Sequence, residues 1–105
     1  MAQLQHLTQK EFEEFVNSKQ VVLIDFYATW CGPCKMLAPV LEKVADEVGQ
    51  EYAIAKVNVD DEYELSKQFG IMSIPCMVIF EKGKERNRIV GFKQKQDIIK
   101  ALKGE

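Results

Sequence analysis

The chain has 105 residues, 47% hydrophobic and 29% charged, with 14 Lys and Arg against 16 Asp and Glu for a net charge of −2. That length suits one domain, residues 1–105, whose single core buries about two-thirds of the surface of the unfolded chain. The charge balance argues against nucleic acid or an anionic membrane surface as partner.

No apolar run approaches the roughly 18 residues of a membrane span. Met1-Ala2-Gln3-Leu4-Gln5-His6 lacks a charged start followed by an apolar stretch, so no secretory signal is read and a cytoplasmic location is expected. Three cysteines, an odd number with one close pair, fit redox chemistry in a reducing compartment better than a structural disulfide framework.

In chain order, Thr8-Gln9-Lys10-Glu11 has the pattern of a capping box, and Phe12, Phe15 and Val16 form an apolar stripe behind it. A packing helix over about residues 9 to 17 is predicted. Val21-Val22-Leu23-Ile24-Asp25-Phe26-Tyr27-Ala28 reads as a strand buried on both faces. Leu37, Val40, Leu41, Val44 and Val48 then recur at helical spacing, so a long helix should begin near Cys31 or Gly32, kinked at Pro39, which cannot donate to the carbonyl of Lys35.

Tyr52 to Val59 reads as a second buried parallel strand, completing a β-α-β unit, and Asp60-Asp61 with Tyr63, Leu65 and Phe69 as an N-capped short helix ending at Gly70. Met77 to Phe80 and Arg88 to Phe92 read as antiparallel strands joined through Glu81-Lys82-Gly83-Lys84, and Gln96 to Leu102 as a closing helix. The order implies an α/β fold, a central mixed sheet flanked by helices on both faces.

Trp30-Cys31-Gly32-Pro33-Cys34 lies where the first strand pattern gives way to the long helix. A helix N-terminus offers unpaired N–H groups and a positive dipole end, both favouring thiolate over thiol, which makes Cys31 the candidate nucleophile. Cys34, one turn in, should be less exposed, with its Cα roughly 5–6 Å from that of Cys31, close enough for a disulfide that forms and opens with little backbone movement. Pro33 suits the first helical turn, and Gly32 allows another chain's backbone to approach the sulfur.

Phe26-Tyr27-Ala28-Thr29-Trp30-Cys31-Gly32-Pro33-Cys34-Lys35 resembles the active-site segment of the thioredoxin family, and the resemblance extends over essentially the whole chain. It implies the thioredoxin fold and a general protein-disulfide reductase. Such a protein holds no cofactor, works as a monomer, and is returned to the dithiol by thioredoxin reductase drawing on NADPH. Gly32-Pro33 resembles the reducing members, since oxidants and isomerases more often carry a histidine before the second cysteine, which stabilises the thiolate.

Asp25 is the one carboxylate in an otherwise apolar strand, and two readings fit it. A buried acid with a raised pKa could relay the proton that the second thiol must lose; alternatively the strand ends early and Asp25 points to water. Lys56 is its natural charge partner, or else a stem that snorkels to the surface. The family resemblance favours the buried acid and its lysine neighbour. It also implies that Pro75 is a cis-proline facing the cysteines and that Ile74 lines the site, whereas pattern alone would make Pro75 only a strand edge. Trp30, Gly32, Pro33, Ile74, Pro75 and Gly91 would then form a flat, mostly apolar docking face around one sulfur, selecting weakly among protein disulfides.

Three positions depart from the commonest family pattern. Tyr27 stands where a second tryptophan is frequent, Phe92 where a small residue is usual, and Cys76 where threonine is usual. Strand alternation should turn Cys76 away from Pro75, as a buried inert thiol or else a regulatory or dimerising one.

Other classes fit poorly. A zinc or iron–sulfur module needs about four ligands, and the chain offers three cysteines and the distant His6. A cysteine hydrolase needs a base beside the thiol, which His6 on a surface segment supplies poorly. A non-catalytic binding or scaffold role for the docking face is the remaining alternative.

Overall fold

The structure is a computed structural model that describes residues 4–105. Met1-Ala2-Gln3, on which part of the signal-sequence expectation rests, lies outside the described residues. The elements are β1 (Gln5–His6), α1 (Gln9–Val16), β2 (Val21–Tyr27), α2 (Gly32–Val48), β3 (Tyr52–Asn58), α3 (Tyr63–Gln68), β4 (Cys76–Glu81), β5 (Lys84–Val90) and α4 (Lys95–Lys103).

The sheet runs β1-β3-β2-β4-β5. β1, β3 and β2 are mutually parallel; β4 is antiparallel to β2, and β5 to β4. The central strand β2 is covered on both faces, which is why its sequence is a continuous apolar run rather than an alternation. Val22, Ile24 and Phe26 point to one side with Phe12 and Val16 of α1 and Leu65 of α3. Leu23 points to the other, with Leu37, Leu41 and Val44 of α2 and Ile98, Ile99 and Leu102 of α4. Alternation then places Asp25 and Tyr27 on the α2 face, the face of Leu23.

α1 opens as predicted, the Glu11 carboxylate accepting the Thr8 N–H at 2.9 Å. α2 is not ended by Pro39, which lies on its exposed side, where a lost hydrogen bond faces solvent. Glu81 and Lys84 pair across the two-residue turn Lys82-Gly83, both with positive φ (54° and 81°). That is the mirror-image turn whose twist matches an antiparallel hairpin.

Three expectations need correction. β1 was not anticipated: it is two exposed polar residues held by backbone pairing, Gln5 opposite Ala55 and His6 opposite Lys56, and so carries no apolar pattern. α3 is capped at Glu62, not at Asp60 or Asp61, because the Asn58 Oδ1 accepts the N–H groups of both aspartates and holds them in a turn before the helix. β5 begins at Lys84, ahead of Arg88, and stops before Gly91 and Phe92. As an edge strand it carries charged residues that no apolar pattern would reveal. Among the described residues no helix is long and apolar enough to cross a membrane.

Candidate active site

β2 ends at Tyr27 and α2 begins at Gly32, so Ala28 to Cys31 form the turn at the carboxyl end of the central strand, where open α/β sheets place their sites. Cys31 is the N-cap of α2 in extended conformation (φ −91°, ψ 114°), and its Sγ accepts the Cys34 N–H at 3.2 Å. The sulfur therefore occupies the position of a capping oxygen, facing otherwise unsatisfied helical donors. Cys31 and Cys34 are joined as a disulfide with their Cα atoms 5.2 Å apart, and Cys34 (3% exposed) is more covered than Cys31 (6%). Both pack with Ala28, and Tyr27, Val59 and Ile74 close around them.

The other sequence-derived residues fall into two groups. On the outer side, Trp30 is 69% exposed, with Gly32 and Pro33 also exposed on the first turn of α2. The Ile74–Pro75 peptide bond is cis; Ile74 is half-buried against the cysteines and Pro75 is buried. Gly91, at φ 94°, donates its N–H to the Pro75 carbonyl at 2.8 Å, so a positive-φ residue just after β5 is tied to the proline loop. Phe92 turns into the core on the α2 face.

On the inner side, Asp25 is fully buried and sits opposite Lys56 in the parallel register. Neither carboxylate oxygen has a hydrogen-bond partner among the described residues. Burial pushes its pKa up from 3.8 to about 7, with the Lys56 ammonium pulling the other way. Lys56 does not form an ion pair with Asp25. Its Nζ lies 4.3 Å from the centre of the Tyr27 ring, and the side-chain ion pairs among the described residues are Arg86–Glu81, Arg88–Glu85 and Lys95–Glu47. A cavity of about 300 Å³ is lined by Tyr27, Cys34, Lys35 and Lys56 among others, putting the second cysteine and the lysine on one space.

Cys76 is buried on the opposite face of the sheet, among the residues around Val78 and Phe80, as alternation requires. His6 stands by Tyr27, its Nδ1 2.7 Å from the tyrosine hydroxyl. Sequence reading missed Asp60 as a site residue: its Oδ2 accepts the Trp30 indole N–H at 2.8 Å. From sequence the Asp60-Asp61 pair reads wholly as helix capping, and nothing local distinguishes an indole acceptor from a cap. With Val59, Tyr63, Met72 and Ile74, Trp30 and Asp60 line a groove beside the disulfide.

Two cysteines one helical turn apart, joined as a disulfide at the start of a helix, are the working part of a dithiol–disulfide oxidoreductase, and the sheet carrying them has the thioredoxin fold. The thioredoxin family model matches residues 3–104. Thioredoxin of Chlamydia caviae is 46% identical over 93 residues, 89% of each chain; that of Alicyclobacillus acidocaldarius is 41% identical over 92 residues, 88% of each. The bifunctional thioredoxin reductase/thioredoxin of Mycobacterium leprae is 45% identical over 91 residues, which are 87% of this chain and 20% of that protein. A mutant thioredoxin from Halobacterium salinarum superposes with a TM-score of 0.90 at 32% identity, covering 97% of this chain and 89% of that one. The chain belongs to the thioredoxin family: it is a thiol–disulfide oxidoreductase that reduces protein disulfides through Cys31 and Cys34.

Proposed function

We propose that this chain is a general reductase of protein disulfides, acting as a monomer of one domain, residues 1–105, in the cytoplasm. The observation that carries the reading is Cys31 capping α2 while disulfide-linked to Cys34 at a Cα separation of 5.2 Å. In the reduced protein, the Cys31 thiolate attacks one sulfur of a substrate disulfide, forming a mixed disulfide and expelling the other sulfur as a thiolate that takes up a proton. Cys34 then loses its proton and attacks Cys31, which closes the Cys31–Cys34 disulfide and releases the second substrate thiol. Two electrons pass to the substrate.

Asp25, buried on the α2 face, takes the Cys34 proton, and Lys56 sets how readily the carboxyl holds it. Trp30, Gly32, Pro33, Ile74, Pro75 and Gly91 form the docking face for an extended stretch of substrate, with little charge to discriminate between partners. The chain needs no cofactor of its own. Thioredoxin reductase, using NADPH, restores the dithiol. The relative from Mycobacterium leprae, whose name joins a reductase to a thioredoxin, supports that pairing.

The test is reduction of insulin disulfides with NADPH and a thioredoxin reductase, comparing the native chain with Cys31→Ser. Turnover abolished by the substitution supports the reading. Turnover driven by dithiothreitol but not by the reductase would remove the partner assignment, and no turnover with either reductant would overturn the function.

A further inference from the structure

Across the α2 face of the sheet, three strands set His6, Lys56 and Asp25 in one row, His6 opposite Lys56 and Lys56 opposite Asp25. Tyr27, two residues beyond Asp25 on the same face, reaches back over that row. Its hydroxyl meets the His6 Nδ1 at 2.7 Å, the two rings are edge to face at 5.6 Å, and the Lys56 ammonium lies 4.3 Å from its ring centre. The tyrosine is thus held at both ends, by β2 through its backbone and by β1 through its hydroxyl, with the lysine head against its π face between them.

We infer that Tyr27 is a positioning residue for the exchange reaction: anchored by His6, its ring keeps the Lys56 ammonium off the Asp25 carboxyl. The inference rests on the proposed role of Asp25 as the proton acceptor for Cys34.

An ammonium beside a buried carboxylate that has no other hydrogen-bond donor would ordinarily close into a charge-assisted pair. Here the aromatic face supplies a competing site for the cation, and the carboxylate oxygens have no hydrogen-bond partner among the described residues. An unpaired buried carboxyl holds its proton to higher pH than one bonded to an ammonium, in keeping with the upward displacement of Asp25 by burial. The other polar groups around the row do not replace the tyrosine. Cys34 and Lys35 of α2 line the cavity beside Lys56, Asn58 and Asp61 act on the Tyr27 phenol, Met77 opposite Asp25 on β4 does not titrate, and Cys76 lies on the far face.

The experiment follows the Asp25 carboxyl by carbon NMR through a pH titration of the oxidised protein, and so reads the carboxyl directly, whatever its part in catalysis. Tyr27→Leu, which fills space without a π face, should make Asp25 at least tenfold more acidic, moving its midpoint down by about one pH unit. Tyr27→Trp should restore the native midpoint. Tyr27→Phe and His6→Ala, which cut the same hydrogen bond, should give equal and smaller shifts. In a Lys56→Met background, Tyr27→Leu should do nothing further. An unchanged or raised midpoint in Tyr27→Leu overturns the inference. So does a fall that persists without Lys56, because Tyr27 would then act by keeping water out. A separate failure, Asp25→Asn leaving the rate and pH profile of insulin reduction unchanged, would remove the proton-relay role and leave the midpoint result standing.

Discussion

Replacing Asp25 by Asn should stabilise the oxidised protein at and above about pH 7, through a difference that depends on pH. In the unfolded chain the carboxyl titrates near its ordinary value of 3.8, whereas in the fold burial raises it to about 7. Between those values the folded state holds a proton that the unfolded state has lost, so stability falls as pH rises through this window. Below about pH 4 the Asp25 carboxyl takes nothing from the stability of the native protein, and above about pH 7 its loss is complete. A displacement of about three pH units at about 1.4 kcal/mol per unit sets that loss at about 4 kcal/mol. The amide that replaces the carboxyl cannot ionise, so the variant escapes it. Burying that amide adds a cost of about 1–3 kcal/mol if it is unpaired, but that cost is constant with pH. Urea denaturation of both proteins from pH 4 to 9 isolates the carboxyl: the stability of the variant relative to the native chain should climb from pH 4 to 7 and then level off. A difference that stays flat across the range would show that Asp25 ionises in the fold at its ordinary pKa, and would refute the reasoning.

Two further outcomes follow from named contacts. Asp60→Ala removes the acceptor of the Trp30 indole N–H. It should loosen the tryptophan, lowering its fluorescence anisotropy and raising KM for a protein disulfide about threefold with kcat nearly unchanged, as suits one exposed hydrogen bond of under about 1 kcal/mol. Cys76 is the free cysteine of the oxidised chain, buried, with its thiol pKa raised by that burial. Titration with an aromatic disulfide reagent should label no thiol in the native oxidised protein and one per chain in guanidinium, while rapid labelling of the native form would place Cys76 at a surface.

The readable parts of the chain were those whose determinants are contiguous. The run from Val21 to Tyr27, the helical stripe from Leu37 to Val48 and the cysteine pair between them each carry their signal within a few residues, so the strand, the helix and a helix start near Cys31 or Gly32 could all be read in advance. The burial of Asp25 was only partly legible: one carboxylate inside an apolar strand stands out, but the local pattern also allowed the strand to end early, and the family resemblance favoured the buried reading. Gln5–His6 was not legible, because a two-residue edge strand is held by the backbone of β3 and both its residues are polar and exposed. Asp60 was misread because an aspartate before a helix looks the same whether it caps that helix or accepts from an indole 30 residues away.

By itself, then, the sequence determined the types of all the longer elements and the redox pair at the start of α2, since hydrophobic periodicity and helix-end chemistry act between near neighbours. Only the tertiary structure decided which side chains meet across strands. The parallel register brings Lys56 opposite Asp25 and His6 opposite Lys56, and the direction of Tyr27 along β2 then draws the ammonium to a ring instead of to the carboxylate. Those contacts join residues up to 50 positions apart, and their geometry is set by sheet order and strand twist, which no local pattern of residues encodes.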